Sequence, residues 1–169
     1  LDVAGLFGWP SAGLPAGAVT LNGDIEAADG HTRFNAETLT VGTSRATGTL
    51  DVATDDDKPA ISLRLQADDL DLGGLLGGVL GTDLPAGGVW PGEAIDLARY
   101  GAVNLDAVID AKLLRLGALS GGPGQALLRL GNDHCNVKVD AVPLLGGKAS
   151  GSLGVNGSGD MTAKLKLET

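Results

Sequence analysis

From Val19 to Leu167 apolar and polar residues alternate with a period of two, run after run. Side chains on a β-strand point to opposite faces in turn, so each run has one apolar and one wet side. In VTLNGDIEA, Val19, Leu21 and Ile25 oppose Thr20, Asn22, Asp24 and Glu26. In TSRATGTLDV, Ala46, Leu50 and Val52 oppose Arg45, Thr47, Thr49 and Asp51. AISLRLQAD, VNLDAVIDA, CNVKVDA and MTAKLKLE follow the same rule. The breaks between runs are Gly- and Asp-rich, as at Ala28-Asp29-Gly30, Gly146-Gly147 and Asn156-Gly157-Ser158-Gly159. Such residues reverse the chain through positive φ or side-chain-to-backbone bonds. The pattern predicts an all-β fold: long antiparallel, hairpin-linked strands forming a curved sheet or groove, or closing as a sandwich.

Part of the pattern occurs twice. An offset of 103 puts Phe34 on Val137, Ala36 on Val139, Arg45 on Lys148 and Gly48-Thr49-Leu50 on Gly151-Ser152-Leu153. With one residue dropped from the next turn, Ile61, Leu63 and Leu65 fall on Ala163, Leu165 and Leu167. Upstream, an offset of 84 sets Val19, Leu21 and Ile25 on Val103, Leu105 and Ile109; the second copy then carries the extra segment 112–130, with the strand-like QALLRL. This divides one continuous sheet-forming domain into two related β repeats, 1–69 and 101–169, around a Leu/Gly/Pro-rich connection, 70–100. Repetition of this length extends a sheet rather than closing a globule. In the connection, Leu72, Leu75, Leu76, Val79 and Leu80 would share one face of a helix. Four glycines weaken that helix, so the segment reads as a crossover covering the end of the sheet.

Composition narrows the function. Aromatic residues are 3% of the chain and hydrophobic ones 43%. A thick core draws on aromatic area; an aliphatic, Gly-rich set makes a smooth, shallow face instead. Net charge is −9, and the 12 basic residues are scattered singly, which argues against a nucleic-acid surface. One Tyr and two Trp cannot build the girdles of an outer-membrane barrel.

No catalytic group is expected, and no metal or cofactor. Cys135 is alone and makes no internal disulfide. His31 and His134 stand 103 apart, each after a turn bearing Asp, without the further ligands a metal needs. Asp55-Asp56-Asp57 lacks the glycine-bearing spacing of calcium loops. GTSRA, from Gly42, lacks the final Gly of a nucleophile elbow. Asp68 and Asp69 are adjacent in a strand, hence on opposite faces and solvated.

WPGEAIDLARY, Trp90 to Tyr100, followed by VNLDAVIDAKLLRLG and PLLGGKASGSLGV, resembles the C-terminal region of the AsmA-like family. ISLRLQADDLDLGGLL, from Ile61, is similar to the family's habit of ending a repeat in a strand plus Leu-Asp-Leu. The likeness covers Val19 to Leu167, and its force lies in the order and spacing of motifs that are individually weak. It implies a periplasmic domain of a Gram-negative envelope protein, held at the inner membrane by an anchor outside this chain. It also implies a bent sheet whose apolar groove shields phospholipid between inner and outer membranes and supports outer-membrane maintenance. No catalytic residue carries over.

The alternation supports that expectation independently. Aliphatic side chains suit acyl tails, because each buried CH₂ contributes about 0.8 kcal/mol without directional contact. The expected lining is Val19, Leu21, Ile25, Leu50, Val52, Ile61, Leu63 and Leu65. It continues through Val103, Leu105, Ile109, Val137, Val139, Leu153, Val155, Leu165 and Leu167. Phospholipid or another acyl lipid is the expected partner. The alternative is a non-enzymatic structural or assembly module whose sheet edges bind segments of outer-membrane or other envelope proteins.

Overall fold

The computed structural model of the chain describes residues 19–41, 44–54, 58–80, 104–131 and 133–169. These residues are almost entirely β. Four strands come first: β1 (Val19–Ala28), β2 (His31–Val41), β3 (Ser44–Ala53) and β4 (Ala60–Asp71). A helix, α1 (Leu72–Leu80), follows β4 directly. Then come β5 (Asn104–Leu116), β6 (Leu119–Gly121), β7 (Gly124–Leu130), β8 (His134–Leu144), β9 (Gly147–Asn156) and β10 (Met161–Glu168). All belong to one open, curved sheet in the order β1-β2-β3-β4-β5-β7-β8-β9-β10, with β6 paired to the end of β5. The described strands form a single layer, not a sandwich.

The expectation of antiparallel hairpins throughout fails at one place. β4 and β5 pair parallel, Ala60 beside Asn104 through Asp71 beside Arg115. Parallel neighbours need a crossover that returns the chain to its starting end, and residues 72–103 supply it. The boundary drawn after residue 69 falls inside β4, which runs on to Asp71. The Trp90–Tyr100 stretch lies outside the described residues.

Part of the crossover is helical after all. Asp71 caps α1, its Oδ1 accepting a hydrogen bond from Gly74 N at 3.1 Å. Gly73, Gly74, Gly77 and Gly78 together cost about 3–4 kcal/mol of helix propensity. Leu72 and Leu76 are buried, and Leu75 packs against both hydrophobic clusters. Three such leucines contribute about 5–9 kcal/mol on burial. Packing outweighs propensity.

The strand registers lay apolar residues in rows across the sheet. One row runs Ile25, Phe34, Leu50, Leu63, Ala107, Leu128, Val137, Leu153 and Ala163, one residue from each strand except β6. The row on one side of it includes Val52, Ile61, Leu105, Leu130, Cys135 and Val155, all buried. The row on the other side runs Gly23, Ala36, Gly48, Leu65, Ile109, Ala126, Val139, Gly151 and Leu165. Beyond Ala67 and Ala111 the alternation slips by one on both strands, and Leu70 and Leu114 take the inward positions.

One offset relates two ladders. β2 pairs β3 as His31 with Ala53 through Ala36 with Gly48, then shifts before Leu39 with Ala46. β8 pairs β9 as His134 with Asn156 through Val139 with Gly151, then shifts before Val142 with Ala149, each 103 residues on. Two details differ from the sequence-derived offsets. Ile25 stands beside Phe34 as Leu128 stands beside Val137, so in these registers β1 takes the place of β7 and not of β5. Ile61 lies beside Val52 as Met161 lies beside Val155, an offset of 100 for the last strand.

Candidate functional site

The three rows form an apolar strip. Nine strands at 4.7–4.9 Å spacing make it roughly 40 Å wide, and rows two residues apart make it about 13 Å deep along the strands. Burial is greatest in the middle. Ala107, Leu128, Val137 and Leu153 are buried, while Leu50 and Leu63 are half-buried. At the two edges the same rows emerge into water: Ile25 is 67% exposed and Leu165 75%. A sheet with one apolar face must cover it. Among the described residues the helix on this face is α1, whose nine residues are about 13 Å long at 1.5 Å per residue, shorter than that width.

The predicted lining residues thus fall into groups. Val52, Ile61, Leu105, Ile109, Val137, Leu153 and Val155 are buried. Leu50, Leu63, Leu65 and Val139 are half-buried beside them. Ile25, Leu165 and Leu167 are open to solvent. Val19 and Leu21 belong to β1, at backbone positions beside Val41 and Leu39; Val103 lies outside the described residues. The predicted set leaves out Ala107, Ala126, Leu128, Leu130 and Cys135, which lie in the same rows and are among the most buried side chains. The alternation in QALLRL is the signal that finds three of them.

The opposite face is a lattice of ion pairs and hydrogen bonds between neighbouring strands, most of them between residues abreast. Arg33 Nε meets Asp51 at 2.6 Å, and Arg129 Nε meets Asp106 at 2.9 Å. Lys112 Nζ meets Asp68 at 2.7 Å, and Gln125 donates to Asp110 at 2.8 Å. Lys112 holds the Asp68 carboxyl below its usual range, and its own ammonium is raised in return. Asp69 is paired as well, with Arg115 Nε at 2.9 Å. A cleft of about 610 Å³ is lined by Arg45, Gln66, Asp68, Asp110, Lys112 and Gln125 among others. Within it Asp68 is held by Lys112, and Asp110 accepts from Gln125.

Among the described residues no group of three or more His, Cys, Asp or Glu could hold a metal ion. His134 Nδ1 lies 2.8 Å from Asp133 Oδ1, and His31 stands at the matching ladder position beside Ala53. Asp55-Asp56-Asp57 lies outside the described residues. Among the described residues no helix is long and apolar enough to cross a membrane.

Cys135 is 1% exposed, and burial pushes its thiol up to about 11. A neutral thiol is a poor nucleophile. Iodoacetamide at pH 8 should therefore leave Cys135 unmodified until denaturant opens the sheet; labelling of the native chain at the rate of a free thiol would contradict this burial. Because the folded-state value is raised, the stability associated with this group is complete below its ordinary value of 9.0 and is lost as pH rises through about 11.

No known protein family, curated protein or solved structure matches the chain.

Proposed function

We propose that this chain is a non-enzymatic lipid-shielding domain whose apolar strip lies along phospholipid acyl chains. The observation that carries the reading is the strip itself. Three apolar rows cross a single-layered sheet, are buried only in the middle, and reach water at both edges. Acyl chains fit such a surface because they need area and no hydrogen bonds. α1 sits on the same face and presents Leu72, Leu75 and Leu76 to it. In this reading α1 occupies part of the tail site and gives way to hydrocarbon, while tails enter from the exposed edges.

The sequence resemblance supplies the setting: an AsmA-like domain in the periplasm of a Gram-negative bacterium, carried by a protein anchored in the inner membrane. Its cargo is phospholipid passing between inner and outer membranes. The test is direct. The chain is purified from a Gram-negative host without detergent, extracted with organic solvent and analysed by mass spectrometry. Stoichiometric phospholipid is the expected result, and a lipid-free chain that also takes up no phospholipid from vesicles refutes the reading.

A further inference from the structure

Among the described residues β1 and β10 each have a strand neighbour on one side only. An open strand edge presents unpaired backbone donors and acceptors to any other strand. Both edges carry apolar side chains in water, Ile25 on β1 and Leu165 on β10. On the opposite face they carry charges of opposite sign. Asp24 and Glu26 flank Ile25, while Lys164 and Lys166 flank Leu165, and all four are exposed. Lys166 also meets Glu168 of its own strand at 2.5 Å.

We propose that β10 of one copy of this chain pairs with β1 of another, antiparallel and with Ile25 opposite Leu165, so that copies join head to tail into one continuous sheet. In that register Glu26 faces Lys164 and Asp24 faces Lys166. Symmetric pairing about these same two residues is repelled. β10 against β10 about Leu165 sets Lys164 against Lys166 twice, and β1 against β1 about Ile25 sets Asp24 against Glu26 twice. Opposite charges directly across a ladder attract and like charges repel, so with Ile25 and Leu165 at the centre of the contact each edge favours the other over a copy of itself.

Strand direction agrees. Each step across the sheet reverses the strand except the parallel step from β4 to β5, so β10 runs opposite to β1. A second copy in the same orientation therefore brings its β1 antiparallel to β10 with both apolar faces on one side. Such a contact is heterologous and adds copies in a line. It holds with or without bound lipid and goes beyond the lipid-shielding reading.

Sedimentation velocity over a concentration series tests the proposal. The parent chain is expected to grow in mass beyond a dimer as concentration rises. The Lys164→Glu/Lys166→Glu variant alone, and the Asp24→Lys/Glu26→Lys variant alone, should each associate roughly ten-fold more weakly or less. Mixing the two variants should restore association, because each edge then meets an opposite charge; all four changes in one chain should restore it too. The proposal is overturned by a parent chain that stays monomeric or stops at a dimer. It is equally overturned by single-edge variants that associate as tightly as the parent, or by a mixture and a four-fold variant that both stay apart.

Discussion

Gly48→Ala should cost the fold about 3 kcal/mol or more. Gly48 lies in β3 at φ +149°, where a Cβ would overlap the carbonyl oxygen of Arg64 and fall 2.9 Å from Leu65 Cα. Both obstacles are backbone of β4, so no side chain can swing aside, and relief requires the β3/β4 ladder to part. Gly151 supplies the contrast. It occupies the corresponding place, between Val139 and Leu165 as Gly48 stands between Ala36 and Leu65. Yet a Cβ there would have the Lys164 carbonyl oxygen at 3.5 Å as its nearest neighbour, an ordinary contact. Gly151→Ala should leave stability unchanged or raise it by up to about 1 kcal/mol, since the unfolded chain loses freedom. Urea midpoints of the two variants decide the matter: equal midpoints would mean that the close approach at Gly48 is not what holds that position to glycine.

Leu165→Asp should strip phospholipid from the chain without unfolding it. Leu165 is 75% exposed, so a carboxylate there stays hydrated in the lipid-free fold and should change stability by no more than about 0.5 kcal/mol. With an acyl chain lying over the strip, the same carboxylate removes apolar contact and must be desolvated. Loss of contact worth about two methylenes, at roughly 0.8 kcal/mol each, is about a ten-fold drop in lipid retained. Thr162→Asp, on the charged face of the same strand, is the control and should retain the parent's lipid. Leu63→Asp is the harsher variant, because Leu63 packs against the buried cluster and a charge there also loosens the sheet. Equal phospholipid recovery from Leu165→Asp and the parent would sink the lipid-shielding proposal.

The faces of the strands were legible in the sequence to a degree that their partners were not. Period-two alternation assigns Ile61, Leu105, Val137 and Val155 to one side, and the registers place them there. The last strand is offset by 100 rather than 102, yet no residue changes side, because a slip of two leaves the face unchanged. The match of β1 to β5 rather than β7 has a similar cause. VNLDAVIDA and QALLRL alternate equally well, and alternation contains nothing about which strand lies beside which. The parallel β4/β5 pair was hidden for another reason: its direction is set by a crossover, and no residue within either strand encodes it. α1 was undervalued because propensity counts the glycines and not the surface waiting for Leu72 and Leu76.

That crossover also governs the order in which the sheet can assemble. Most other neighbouring strands are joined by turns of two to six residues, as at residues 29–30 and 54–59. The junction of β4 with β5 must instead close a loop of 32 residues, from 72 to 103. Each doubling of loop length adds about 0.6 kcal/mol of closure entropy, so this junction starts about 2.5 kcal/mol behind a two-residue hairpin. The flanking meanders can zip up independently while the seam between them waits, which makes its closure the slow step of folding. Pulse-labelled hydrogen exchange during refolding should accordingly find amides of β2 and β9 protected before those shared by β4 and β5; simultaneous protection would rule that order out.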